Sequence, residues 1–304
     1  MIIEAGSNLD RILGLVPELS GERTVADLDG GLTNRNVKVE TAGGSYVIRM
    51  WSDDGALLAI DRDNEHASSL RAAAVGVGAP VVAYLPDLNA LVIEFVEGRT
   101  LSAEDLRGGF PLGRVAEAVR TLHSADLFEQ DFDMFEIQRR YLELVSERGF
   151  RLPDRYREFE PQVEEIRRAL AHGAEARVPC NNDLLAENFI DAGDHLWLID
   201  YEYSGNNEPS FELGNIWSES GLSLDQLEEL VAAYYGGPDP AKVARARLWG
   251  LMSKYGWTLW ASIQDGVSRI DFDFWSWGME KYDRAVAEFD GPDFPGLLET
   301  ARMG

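Results

Sequence analysis

The feature that most constrains this chain is a change of hydrophobic period near Gly98. Before it, Thr24–Leu28, Val37–Thr41 and Ser45–Met50 are short runs rich in β-branched residues, and Val81–Tyr84 and Ala90–Phe95 are two more. Alternation of period two puts successive side chains on opposite faces of a strand. One stretch, Ile60–Ala74, reads instead as a helix that carries Glu65 and stops before Gly76. After Gly98, apolar residues recur at helical spacing in Gly113–His123, Gln138–Glu147 and Pro161–His172; the last has proline at its first position and Gly173 just past its end. From Leu224 on, the chain is helical in pattern and rich in tryptophan. The expected fold class is therefore α+β and bilobal. A small antiparallel sheet with one helix spans residues 1–97, a larger helical lobe spans 98–304, and the hinge falls at Phe95–Gly98.

At 304 residues the chain is long enough for such a two-lobed body. Its formal net charge of −25 repels nucleic acid and anionic membrane surfaces and attracts cations, so no nucleic-acid partner is expected. Apolar stretches are broken by charge well short of the ~20 residues that span a bilayer. The start, MIIEAGSNLDR, lacks a basic segment followed by an apolar run. No stable membrane insertion and a cytoplasmic location are the expectation, as a monomer or a homodimer. The single cysteine, Cys180, rules out an internal disulfide and a cysteine-rich metal site, and reads as a small buried hydrophobe.

The strongest local feature is the run Asn181-Asn182-Asp183, then Asn188 five residues after Asp183, a short hairpin turning at Ala192-Gly193-Asp194, and Asp200 at the end of a hydrophobic strand. Singly, Asp and Asn are turn residues. In this order they match what phosphoryl transfer needs: Asp183 near the attacking hydroxyl to orient it and take its proton, and Asn188 with Asp200 to hold metal against phosphates. Arg49 lies in an apolar strand, where a charge is costly unless paired, and Glu65 on the next helix is its natural partner. Gly30-Gly31-Leu32-Thr33-Asn34 lies between two strands and not before a helix, which excludes the glycine loops that need a helix N-terminus. A glycine hairpin can instead cover phosphates through backbone N–H groups, the Thr33 hydroxyl and the Asn34 amide, or be a plain turn. Five of the eight tryptophans fall between positions 249 and 277. Trp257, Trp260 and Gln264 share a helix face, either as core or as an aromatic cage for a quaternary ammonium.

Taken together, GGLTNRNVKV, YVIRM, DRDNE, IEFVEG, CNNDLLAENFI, LIDYEYSG, FELGN and WTLWASIQDGVSRIDFDF resemble the choline/ethanolamine kinases, within the wider aminoglycoside phosphotransferase-like group that shares the protein-kinase fold. The likeness runs from about Gly30 to about Arg284 and implies an ATP- and Mg²⁺-dependent kinase acting on a small cationic amino alcohol, choline first. It implies Asp183 as catalytic base, Asn188 and Asp200 as Mg²⁺ ligands, and Arg49 with Glu65 as the phosphate-holding pair. Gly30, Gly31, Thr33 and Asn34 would cover the phosphates, and the backbones of Glu94 and Val96 would meet adenine. Trp257, Trp260, Trp277 and Gln264 would form the amine pocket, with Glu202 near the ammonium end or hydrogen-bonded to the loop. Two residues depart from the family's pattern: Asn181 stands where a His is usual and Glu212 where an Asp is usual, and the two are expected to compensate for each other across the loop. Other acceptors (ethanolamine, thiamine, an aminosugar, an aminoglycoside) and a non-catalytic nucleotide-binding protein are the alternative readings.

Overall fold

The computed structural model describes residues 5–28, 31–52 and 57–303, so Gly30 lies outside it. The first hundred residues form an antiparallel sheet of β1 (Arg23–Leu28), β2 (Asn34–Thr41), β3 (Gly44–Trp51), β4 (Val81–Leu85) and β5 (Ala90–Glu94), in the order β1-β2-β3-β5-β4. Helix α2 (Arg62–Ala74) starts at Asp61, whose carboxylate accepts the N–H groups of Asp63 and Asn64, as a helix start demands. It ends before Gly76, which takes φ +79°. Alongside α2, the sheet carries α1 (Ala5–Leu15), which the sequence reading lacks. After Ala5 its first turn runs through Gly6, Ser7 and Asn8, poor helix formers, so propensity hides it. Tertiary burial makes it: Ile12, Leu13, Val16 and Leu19 seal one face of the sheet against Val37, Val39, Tyr46 and Ile48.

Glu94 and Phe95 donate their N–H groups to Pro80 and Ser45, keeping the strand end tied to the sheet. The chain then leaves the sheet, and β6 (Arg99–Thr100) pairs with β8 (Phe189–Asp191), which pairs with β9 (Leu196–Leu198). The helical remainder comprises α3 (Ala103–Arg107), α4 (Leu112–His123), α5 (Met134–Arg148), α6 (Glu160–Ala171), α7 (Pro209–Ser220), α8 (Leu224–Tyr235), α9 (Pro240–Val267), α10 (Phe274–Phe289) and α11 (Phe294–Ala301). Two further strands, β7 (Val178–Cys180) and β10 (Gly205–Asn207), pair beneath the loop that follows Cys180. One apolar core joins α5, α9, α10 and α11 through Tyr141, Tyr255, Leu259, Phe289 and Leu298; a second joins α4, α7 and α8 through Val119, Leu213 and Leu230. Among the described residues no helix is long and apolar enough to cross a membrane.

Helices α7 and α9 lie close enough that a Cβ on Gly214 would sit 2.0 Å from the Ala246 carbonyl oxygen. No such approach is tolerable, and the obstacle is backbone, so the helices themselves would have to part. Gly214→Ala is expected to cost about 2–3 kcal/mol of unfolding free energy in urea titration, through overpacking that cannot relax. It should also lower turnover, because α7 carries the residues that hold the Asp183 loop.

Candidate active site

The loop after β7 turns at Asn182, which adopts φ +66°. Its side chain is buried and fully used: the amide nitrogen donates to the carbonyls of Cys180, Tyr203 and Gly205, and the oxygen accepts from Asn207. From α7, Glu212 reaches under the turn and accepts the N–H of Asn181 on one oxygen and of Asn182 on the other, both at 2.9 Å. Asn215, one turn along the same helix, accepts the Leu184 N–H at 2.7 Å and donates to Ser253 of α9. Buried backbone donors need such partners, and α7 supplies them from one face.

Asn181 ties this loop to the next functional segment. Its amide nitrogen donates to the carbonyls of Ile199 and Asp200, at 3.2 and 2.8 Å, and its oxygen accepts the Asp183 N–H at 3.1 Å. Asn181 thus positions backbone. Its side chain bonds other groups than Glu212, however: the Glu212 carboxylate meets the Asn181 and Asn182 backbones, so any compensation between the two positions runs through the main chain. Asn188 donates to the Asp183 carbonyl at 2.7 Å, closing the loop on itself. Asp200, like Asn182, sits at positive φ, +64°, a costly backbone state for a non-glycine residue that the flanking bonds enforce.

Opposite this loop stands Arg49 on β3, buried and paired with Glu65 of α2 at 3.2 Å and with Asp200 at 2.5 Å. Burial alone would make this guanidinium easier to deprotonate; Asp200 and Glu65 reverse that and hold it charged. The glycine turn closes over the same ground. Gly31 is required there, since a Cβ would lie 2.3 Å from the Asn34 carbonyl oxygen. Thr33 and Asn34 donate to Glu202, at 3.0 and 2.9 Å. Leu32 accepts from Gln264 at 3.2 Å, so Gln264 meets the glycine turn.

Four carboxylates (Glu65, Asp183, Asp200 and Glu202) thus face two guanidiniums, Arg49 and Arg62. The imbalance shows in the titration. Burial, then the charges of Glu219, Asp200 and Glu202, push the Asp183 carboxyl well above its ordinary range. Burial, then Asp200 and Glu65, push Glu202 up to about 7. A hard divalent cation relieves such an excess, and carboxylate and amide oxygens are its donors, so the residues present fit Mg²⁺. A different cluster, His123, Cys180 and Glu212, comes within 4.8 Å behind the loop. There Glu212 already serves two N–H groups of the loop, His123 bonds Tyr234 at 2.7 Å, and Cys180 is fully buried.

The aromatic residues divide. Trp249 packs on Phe135 and Phe211, and Trp275 lies under the Arg151 guanidinium at 3.8 Å. Trp257 and Trp260 are buried and meet at Tyr203: its ring is edge-on to Trp257 at 4.8 Å, and its hydroxyl accepts from Trp260 at 2.8 Å. Half-buried Trp277 stands 5.6 Å from Trp260. Lys281 rests 4.1 Å above the Trp277 ring and pairs with Glu219, whose other oxygen is buried without a partner. Arg62, Tyr203, Glu219 and Lys281 were missed in the sequence. For Arg62 a signal was there, three residues before Glu65; for Glu219 and Lys281 there was none, since they lie on separate helices. A cavity of about 330 Å³ among Leu152, Asp154, Trp275 and Tyr282 is lined by none of the residues around Asp183.

An antiparallel lobe with a buried strand cation, set over a helical lobe with an Asp-x₄-Asn loop and a following Asp, defines a phosphotransferase of protein-kinase-like fold. Residues 25–231 match the family model for choline/ethanolamine kinase, and the chain belongs to that family, phosphotransferases with an alcohol acceptor. It is similar to protein LicA of Haemophilus influenzae, 28% identical over 67% of this chain and 61% of that protein. It is also similar to a probable ethanolamine kinase of Arabidopsis thaliana, 26% identical over 86% of this chain and 78% of the relative. The crystal structure of a choline/ethanolamine kinase family protein from Mesorhizobium loti superposes with a TM-score of 0.85 at 31% identity, covering 98% of this chain and 99% of that one.

One outcome follows from the burial of Glu212, which lifts its carboxyl to about 7 against the opposing pull of the Asn182 and Asn181 N–H groups. A carboxyl whose folded pKa exceeds its unfolded value binds its proton more tightly when folded. Its stabilising contribution is complete below about pH 4.5 and is lost as pH rises through about 7. In chemical denaturation across that window, Glu212→Gln should flatten the decline by up to about 3 kcal/mol.

Proposed function

We propose that the protein transfers the γ-phosphoryl group of ATP to the hydroxyl of choline or a close amino alcohol, using Mg²⁺. The observation that carries this reading is the joining of Arg49, Glu65 and Asp200 above the Asp183–Asn188 loop. Asp183 lies beside the acceptor and orients its hydroxyl, taking the proton as the bond to phosphorus forms. Arg49 steadies phosphate oxygens, and Glu65 keeps its fork aimed. Gly31, Thr33 and Asn34, with Gly30 before them, cover the phosphates, and the backbones of Glu94 and Val96 line the adenine slot. Asn188 and Asp200 would hold the Mg²⁺, which when bound neutralises charge on the phosphates. The boundary between lobes falls at residues 97 and 98.

Trp257, Trp260, Trp277 and Tyr203 hold the acceptor's cationic end by cation–π attraction, about 0.5–2 kcal/mol per ring. That Lys281 already rests on Trp277 supports this, because an alkylammonium fits that face. One observation favours ethanolamine as a second reading. The unpartnered Glu219 oxygen calls for an N–H donor, which a primary ammonium has and a quaternary one lacks.

Turnover measured as ADP release with Mg²⁺ against choline, ethanolamine, thiamine, glucosamine and kanamycin tests the proposal. Choline or ethanolamine should stimulate release, and Asp183→Ala should lower it at least a thousandfold while nucleotide affinity stays within a few fold. Stimulation by none of the panel would overturn the acceptor class. In Glu219→Gln the largest charge acting on Asp183 is removed, so Asp183 ionises more readily and the acid limb of the kcat profile should move to lower pH. The KM for the amine should rise in the same variant.

A further inference from the structure

Glu202 holds an unusual set of partners. Its Oε2 atom accepts from three donors, two on the glycine turn and one at the start of α2: the Thr33 hydroxyl at 3.2 Å, the Asn34 amide at 2.9 Å and the Arg62 guanidinium at 3.2 Å. Its Oε1 atom accepts from Thr33 again, at 3.0 Å. Arg62 extends the cradle. One of its terminal nitrogens donates to Glu65 at 2.6 Å and the other to the Asn34 side-chain oxygen at 2.9 Å, while the guanidinium lies 5.0 Å from the centre of the Trp51 ring. Glu65 already has Arg49 as its partner, so charge balance at Glu65 does not by itself require Arg62. What Arg62 adds is a fork that reaches from the start of α2 to the glycine turn. A hydroxyl, an amide and a planar guanidinium converging on one anionic oxygen make a phosphate site in chemistry and geometry.

We infer that Arg62 is a phosphate-binding residue which, with Thr33 and Asn34, forms an anion subsite for the nucleotide's phosphates, and that the Glu202 carboxylate occupies this subsite when no nucleotide is bound. Nucleotide binding then exchanges one anion for another on the same donors. The glycine turn stays closed in both states, and the displaced Glu202 turns toward the cationic acceptor. This inference rests on the kinase reading above and adds a residue and an order to it: nucleotide enters first, because it frees the carboxylate.

The test is equilibrium binding of the non-hydrolysable ATP analogue AMP-PNP and of adenosine, by calorimetry, with Mg²⁺ and without acceptor. Arg62→Met should weaken AMP-PNP at least tenfold and leave adenosine within twofold. Glu202→Gln removes the competing anion and should tighten AMP-PNP about threefold or more, again without effect on adenosine. Parallel weakening of both ligands in Arg62→Met, or no weakening, would overturn the assignment, as would weaker AMP-PNP binding by Glu202→Gln. If Arg62→Met does not fold, Arg62→Lys decides: it keeps the charge and loses the fork, and unchanged AMP-PNP affinity there counts against the subsite. Failure of the unmutated protein to bind AMP-PNP would overturn the kinase reading itself, which separates the two outcomes.

Discussion

A guanidinium buried between a sheet and a helical lobe needs its charge answered on every side, and Arg49 is answered by Glu65 from α2 and Asp200 from beyond β9. Removing either acid would leave a buried cation underpaired, which costs several kcal/mol. The pairing therefore fixes three things together: the tilt of α2 against the sheet, the position of the strand end at Asp200, and the closeness of the lobes. Asp200 could not hold its positive φ without such ties, and Asn181 adds two more through the Ile199 and Asp200 carbonyls. The loop bearing Asp183 is thereby referenced to the strand cation across the cleft.

Beneath the loop the same logic repeats with neutral donors. The Asn182 turn points N–H groups into the protein interior, where water cannot reach them, and α7 answers with Glu212 and Asn215. Helix α7 can do so only because Gly214 lets it lie against α9. A packing requirement on one face of a helix thus sets hydrogen-bond geometry on the other. The departures at Asn181 and Glu212 make sense in this frame. A buried asparagine presents both a donor and an acceptor, and uses them to join two backbone segments; the longer acid reaches two amides at once.

Charge runs through the site as well as along the surface. The whole chain carries −25, and the cleft concentrates part of that excess around Asp183, Asp200 and Glu202. Such a cleft is unfavourable for a bare nucleotide, and cations correct it: two arginines in the protein, a divalent ion with the phosphates, and an ammonium on the acceptor. The Lys281–Glu219 pair beside Trp277 is the same solution in miniature, with an ammonium held between a carboxylate and a ring.

The sequence by itself determined what depends on neighbours along the chain. Strand and helix periods, the helix end before Gly76, the spacing of Asp183, Asn188 and Asp200, and the need of Arg49 for Glu65 were all legible, since each is set within a few residues or by a charge that must be paired. Helix α1 was not, because its propensity is weak and its stability comes from a sheet that folds later in the chain. Only the tertiary structure decided which tryptophans share a wall. On the helix, Trp257, Trp260 and Gln264 are equivalent neighbours, yet Trp257 and Trp260 meet at Tyr203 while Gln264 bonds Leu32 of the glycine turn. It also decided that Glu202 lies against Thr33, Asn34 and Arg62, residues at least 140 positions away. Periodicity carries no information about contacts at such separation; they are set by how buried charges and apolar faces are satisfied together in three dimensions.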